Sequence, residues 1–177
     1  MPCKDNQFNQ RNLSQKILLL SDTHGYVDEK IHNYCQQADE VWHAGDIGDP
    51  EVIRKIESVA VVRAVYGNID GREIRNLYPL DERFHVEDVD VWITHIGGYP
   101  GRYEPRVREQ LKLNPPKLFI SGHSHILKVQ YDKKNRLLHM NPGAAGKNGF
   151  HKVRTMLRFE IEGSDIKNLE VIEFPRR

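Results

Sequence analysis

The sequence predicts an α/β protein made of two packed sheets with helices outside. Short apolar, partly β-branched runs alternate with helix-period segments through the first half. The second half reads mainly as strands linked by hairpin-like turns. In addition, five of the apolar runs stop at Asp, His or Asn, which is an unusual way to end a buried strand.

The elements follow in order. Lys16 to Ser21 reads as the first strand and Asp22-Thr23-His24-Gly25 as the turn that leaves it. Ile31, Tyr34, Cys35 and Ala38 keep the spacing of a helix with one buried stripe. Glu40 to His43 is a second strand, left through Ala44-Gly45-Asp46. Asp49 can cap the next helix with Pro50 at its first position, and Val52, Ile53, Ile56 and Val59 form its inner face. Ala60 to Tyr66 is the third strand, ending in Gly67-Asn68, and this β-α-β-α-β order implies parallel neighbours with right-handed crossovers.

Beyond it, Arg83 to Glu87 and Val89 to Thr94 look like two strands around a tight acidic turn. Tyr103 to Leu113 reads as a helix with Val107 and Leu111 inward. Lys117 to Ser121, Lys128 to Tyr131 and Leu137 to Met140 read as strands, the last two joined as a hairpin through Asp132 to Asn135. Val153, Thr155, Leu157, Phe159 and Ile161 alternate with polar neighbours, and Ile166 to Phe174 is expected to pair with that strand. A parallel front half and an antiparallel rear half suggest the two sheets. No repeat, linker or low-complexity block interrupts the chain, so a polar tail over residues 1–15 and one domain over 16–177 are expected.

Composition narrows the classes. Of 177 residues, 38% are apolar and 29% charged, a globular balance. No apolar run approaches the length of a bilayer span, and Met1 to Gln15 lacks the hydrophobic stretch of a secretion signal. A cytoplasmic protein without membrane contact is therefore expected. Two cysteines, Cys3 and Cys35, make no disulfide framework. Lys plus Arg (26) nearly balances Asp plus Glu (25) for a formal charge of +1, which leaves no electrostatic footprint for nucleic acid.

The strand-end residues carry the chemistry: Asp22, His24, Asp46, Asn68, His95, His123 and His125. In open α/β sheets, ligands bind beyond the carboxyl ends of strands, so seven oxygen and nitrogen donors would collect on one rim. That number suffices for two metal ions sharing a bridging carboxylate. Asp46 follows Gly45, Asn68 follows Gly67 and His123 follows Gly122, each glycine allowing close backbone approach. Taken singly, His-x-His is often polar surface and Gly-Asp an ordinary turn; the weight lies in their joint occurrence at strand ends.

Asp-x-His, Gly-Asp, Gly-Asn, a lone His and Gly-His-x-His, in this order, resemble the calcineurin-like metallophosphoesterases. Ser21-Asp22-Thr23-His24, Gly67-Asn68-Ile69-Asp70, Ile93-Thr94-His95 and Asn141-Pro142-Gly143 are most similar to the small bacterial and archaeal phosphodiesterase branch. The resemblance runs from about Lys16 to Gly143. It implies a four-layer α-β-β-α sandwich of two mixed sheets and a dinuclear site. Asp22, His24, Asp46 and His125 would hold one metal, and Asp46, Asn68, His95 and His123 the other. It also implies a small phosphate-ester substrate and catalytic roles for Asp46, Asn68 and His95, with a metal-bridging hydroxide as nucleophile. A homo-oligomer is implied as well, since relatives are often dimers or larger. Two divalent ions, two carboxylates and one hydroxide leave a single net positive charge by formal count, which attracts an anionic ester. The donors suit manganese first, with iron, zinc or nickel as alternatives.

The chain departs from the family pattern twice. Ile69 stands where many relatives carry a proton-donating His, and His95-Ile96-Gly97-Gly98 replaces a common His-Gly-His. Asp70 reads either as an orienter of the Asn68 turn or as a plain turn residue. His43 reads as a donor to a ligand carboxylate or as a packed strand histidine. His32, His85, His139 and His151 read as structural or exposed. Tyr99-Pro100-Gly101-Arg102-Tyr103 reads as a substrate loop or a solvated connection, and Asn141 to Gly146 as close-packing backbone or a tight turn. The expected function is a metal-dependent phosphodiesterase. The alternatives are a phosphomonoesterase of the same fold and a non-catalytic binding scaffold resembling the retromer subunit.

Overall fold

Among the described residues, ten strands build two five-stranded sheets, and the two faces of each sheet dictate the layering. A computed structural model of the chain describes residues 14–176. The polar tail expected over residues 1–15 and Cys3 fall outside that range, except that Ser14 precedes the first strand and Gln15 begins it.

The first sheet starts from β1 (Gln15–Leu20), β2 (Glu40–His43) and β3 (Val61–Ala64), which lie parallel. Their crossovers are α1 (Glu29–Cys35) and α2 (Pro50–Glu57), capped by the side chains of Asp28 and Asp49. A short helix, α3 (Arg72–Leu77), follows β3. The second sheet has the order β4-β5-β8-β10-β9. Its strands are β4 (Asp81–Val86), β5 (Val89–Thr94), β8 (Leu118–Ile120), β9 (Leu127–Asp132) and β10 (Leu137–Pro142). The small hairpin β6 (Gly98–Tyr99) and β7 (Arg102–Tyr103) precedes α4 (Pro105–Leu113). Finally β11 (Val153–Glu162) and β12 (Asp165–Pro175) return to the first sheet, where β11 pairs antiparallel with β1.

Period-two alternation in β1 shows why four layers form. Ile17 and Leu19 face the second sheet and pack with Trp42, Ile93, Ile120 and Phe159, whereas Leu18 and Leu20 lie beneath α1 and α2 with Ile31, Ile53 and Ile56. A strand covered on both faces reads as a continuous apolar run. On the far side, Val107 and Leu111 of α4 cover Trp92 and Phe119. Trp42 fills the interlayer centre, its ring 5.1 Å from Phe84 and 5.6 Å from Phe159 at steep angles. No helix among the described residues is long and apolar enough to cross a membrane.

The two mixed sheets flanked by helices agree with the expected fold class. The expected antiparallel rear half is corrected. β8 lies parallel between β5 and β10, because Leu118, Phe119 and Ile120 are buried and α4 supplies the crossover. β11 and β12 extend the front sheet instead. The helix expected from Tyr103 begins at Pro105: the Glu104 carboxylate accepts from the amides of Arg106 and Val107, and Tyr103 is held by pairing with Gly98. α3 was not expected, since its six residues bury a single side chain, Ile74, and show no periodicity.

Glu40, at the start of the inner strand β2, ties it to both neighbours. Its buried carboxylate accepts from Trp42 Nε1 (2.8 Å), Arg63 Nε (2.8 Å) and Gln15 Nε2 (2.9 Å). Burial would raise its pKa, but the bonds from Arg63 and Trp42 and the Arg63 charge prevail and hold it below the usual 4.5. A depressed folded-state pKa contributes stability that is present above the unfolded value and is lost as pH falls through the folded one. Glu40→Gln is therefore expected to cost about 1–3 kcal/mol at pH 7. The cost should shrink near pH 4, as read by urea denaturation at both pH values.

Candidate metal centre

Five loops converge where the carboxyl ends of β1, β2, β3, β5 and β8 meet, and the backbone between them is stitched before any side chain is considered. Asp22 N donates to Gly45 O (2.9 Å), His24 N to Asp46 O (3.0 Å), Val65 N to His43 O (3.1 Å) and Gly122 N to His95 O (2.9 Å). The first three tie loops of one sheet together, and the last joins the loops that follow β5 and β8.

The side chains fall into two groups. Donor atoms of Asp22, His24 and His125 lie within 4.8 Å of one another, as do those of Asp46, His95 and His123. Asn68 Oδ1 sits 3.1 Å from His95 Nε2, adding a neutral oxygen to the second group. Asp46 spans the two: Oδ1 is 3.2 Å from His95 Nε2 and Oδ2 is 3.7 Å from His24 Nε2. All seven sequence-selected residues are thus brought together. Asp22, Asp46 and His95 are buried, while Asn68 and His123 stand exposed at the mouth.

Backbone strain is concentrated here. Asp22, His24, Asp46, His123 and His125 have φ of 54°, 48°, 54°, 67° and 57°. Only three other non-glycine residues among those described, Glu87, Arg136 and Asn168, share that left-handed region. Such conformations cost on the order of 1 kcal/mol or more each and persist where the surroundings over-determine them. They turn consecutive polar side chains inward from alternate positions. At Gly67 the backbone passes so near Asp46 that an added Cβ would collide with its Oδ1 and amide. At Gly45 (φ +94°) a Cβ would lie 2.6 Å from His95 Nδ1.

Supporting residues fix the donors. Ala44 O accepts from His95 Nδ1 (2.7 Å), which leaves Nε2 with its lone pair facing Asp46. Ser21 Oγ (2.6 Å) and His123 N (3.2 Å) both donate to Asp22 Oδ2. Asp22 Oδ1 is left buried, 3.1 Å from His125 Nε2 but with no hydrogen bond aimed at it. His24 Nε2 is likewise buried without a partner. Two orphaned lone-pair donors beside a second imidazole, that of His125, suit a cation, which satisfies such atoms without a proton.

Sequence reasoning underweighted four residues. Buried Asp70 accepts from the amides of Gly48 (2.7 Å), Gly67 (2.7 Å) and Ile47 (3.1 Å), locking the Asp46 and Asn68 loops together. Its Gly-Asn-x-Asp setting was the available signal, and the structure decides for the orienting reading. His43 contacts no ligand carboxylate, which corrects that alternative. Its Nδ1 accepts from Gly45 N (3.2 Å) and its Nε2 donates to Thr23 Oγ1 (2.9 Å), and burial holds it neutral with a pKa of about 4. Asn141 Nδ2 donates to Gly122 O (2.8 Å) and steadies the His123 loop. Ser21 belongs to the Asp22 motif but was given no role. His151, set aside as structural or exposed, packs its ring 5.3 Å from His125 while its Nε2 donates to Gly146 O. His139 is fully buried against Ser121 Oγ, and Arg102 is exposed on the small hairpin.

Electrostatics couple the groups. Burial pushes the His95 pKa down, but the Asp46 hydrogen bond and the Asp22 and Asp46 charges outweigh it, so the net shift is upward. The adjacent Asp22 carboxylate raises His125. His123 falls, through burial and then the neighbouring His95. Asp46 is lowered: burial opposes, and His95 prevails. Two cavities open at the mouth on either side of Ile96, one of about 330 Å³ beside Asn68 and His95 and one of about 350 Å³ beside His123.

Comparison with known proteins places the chain in a family. The model of the calcineurin-like phosphoesterase superfamily domain matches residues 16–164. A probable metallophosphoesterase from Methanothermobacter thermautotrophicus is 30% identical over 115 residues, which cover 62% of this chain and 66% of that protein. Among solved structures, Vps29 from Entamoeba histolytica superposes with a TM-score of 0.71 at 16% identity, covering 90% of this chain and 99% of its own. An archaeal phosphodiesterase gives 0.67 at 22% identity, with coverages of 90% and 99%. At these identities the structural matches establish the fold alone.

Because His95 and His125 hold their protons more tightly than a free imidazole, a cation must displace those protons. Calorimetric titration with Mn²⁺ is expected to show affinity falling as pH is lowered from 8 to 6. Affinity constant across that range would contradict cation binding through these imidazoles.

Proposed function

The chain belongs to the calcineurin-like phosphoesterase superfamily, and on that footing we propose that it is a metal-dependent phosphodiesterase with a dinuclear centre. The observation that carries this reading is Asp46, whose two oxygens face different donor groups. A carboxylate placed in that way serves two cations at once, which an imidazole cannot do. On this reading Asp22, His24, Asp46 and His125 hold one ion, and Asp46, Asn68, His95 and His123 hold the other. Such ions would supply Lewis-acid polarisation of the phosphate and would lower the pKa of a water that serves as nucleophile. Oxygen and imidazole donors without thiolate favour manganese, iron, zinc or nickel, with manganese first.

The remaining roles belong to the chain. His95 is held by Ala44 O in the tautomer that presents Nε2. Asp70 and His43 keep the ligand loops in register. Asn68 and His123, exposed at the mouth, are placed to meet the ester oxygens. Ile69 is 46% exposed and moves no proton, so esters with acidic leaving groups are the favoured substrates. The cavities on both sides of Ile96 give room for two ester arms, which supports a diester over a monoester. The scaffold alternative draws support from likeness of fold to Vps29, but the donor set here is complete and its strained loops serve no evident purpose in a passive surface.

With manganese present, Asp46→Asn and His123→Ala are each expected to lower hydrolysis of bis(p-nitrophenyl) phosphate by at least about a hundredfold. Circular dichroism should remain that of the parent. Turnover of p-nitrophenyl phosphate should be the slower of the two ester classes. Parental activity in both variants, with metal bound, would remove the assignment.

A further inference from the structure

Three isoleucines each directly follow a donor in the chain: Ile69 after Asn68, Ile96 after His95, and Ile126 after His125. They are 46%, 41% and 63% exposed. Single exposed aliphatic residues carry no message. Three set immediately beside a cluster of carboxylates and imidazoles give an ionic centre an apolar margin, and such margins mark binding surfaces.

The larger mouth cavity, about 350 Å³, is walled by Ile96, Ile126, Tyr99 and the side-chain-free stretch Gly97-Gly98, and it reaches His123. This volume falls in the range of small-molecule sites. Several of its polar groups are committed within the protein, while Arg102 and Lys128 also line it. Asn141 Nδ2 donates to Gly122 O (2.8 Å) and Ser124 Oγ (3.2 Å), and its Oδ1 accepts from Gly143 N (3.0 Å). Tyr103 OH donates to Asp132 (2.8 Å), and His139 Nε2 is bonded to Ser121 Oγ (3.0 Å). Lys128 Nζ lies over the Tyr99 ring at 4.6 Å. A flat apolar ring meets isoleucine, tyrosine and bare glycine backbone.

From this juxtaposition we infer that the cavity between Ile96 and Ile126 is a subsite for an aromatic ester arm, occupied while the phosphate lies against His95 and His123. The inference rests on the reading of the centre as a phosphodiesterase and names the class of diester it takes.

Dimethyl phosphate and diphenyl phosphate carry the same charge and differ only in their arms. Calorimetry on the manganese-loaded protein is expected to show the diphenyl probe binding about ten- to a hundredfold more tightly. Ile96→Asp and Ile126→Asp should bring that ratio close to one. Val61→Asp should keep it, because Val61 is 61% exposed at the start of β3, the end of the strand away from the centre. Equal affinities for the two probes in the parent, or a ratio untouched by Ile96→Asp and Ile126→Asp, would overturn the subsite. Diphenyl preference without hydrolysis of any diester would retain the subsite and remove the catalytic reading. Hydrolysis with equal affinities would do the reverse.

Discussion

Two carboxylates, Asp22 and Asp46, are buried at the seam between the sheets, and among the described residues neither is met by a lysine or arginine within ion-pair distance. Burying uncompensated anions costs several kcal/mol each, so the surrounding architecture is arranged to answer that charge. Part of the answer is neutral: Ser21 Oγ and the amides of His123 and Ile69 donate to the carboxylates. The rest falls to the imidazoles of His24, His95 and His125 set beside the carboxylates. The charge balance is therefore completed by whatever cation, proton or metal, occupies the space between the donors.

That demand explains why strain collects in one place. A left-handed Asp or His is tolerated more easily than most residues in that conformation, and five of them turn their side chains toward the same point. Asp70 and His43 make the arrangement durable because they bond to backbone amides, a hydroxyl and loops rather than to the donors themselves. Removing either would loosen several segments together while leaving every donor present in the sequence.

Much of this was legible beforehand for a simple reason: strands end where apolar runs stop, and side chains at those ends share a rim. Asp22, His24, Asp46, Asn68, His95, His123 and His125 were selected on that logic, and the structure gathers them. The helix start at Asp49 is likewise local chemistry. What could not be read depends on contacts between distant segments. Nothing in the alternation of Val153 to Ile161 says that β11 pairs with β1 and not with its neighbours in the rear half. The support from Ser21 and Asn141 runs through single hydrogen bonds that leave no periodic trace. The six residues of α3 and the two-residue strands of the small hairpin are too short for any pattern to emerge. Fold alone does not decide activity either, since the same sandwich is shared with Vps29.

The steep packing of Trp42 against Phe84 and Phe159 lies well below the rim, yet it governs the spacing of the two β layers. Asp46 hangs from one layer and His95 from the other, so their separation inherits any slip or swelling between them. Trimming an interlayer ring would act on the chemistry as a misaligned hinge acts on a latch: each half intact, the closure out of true.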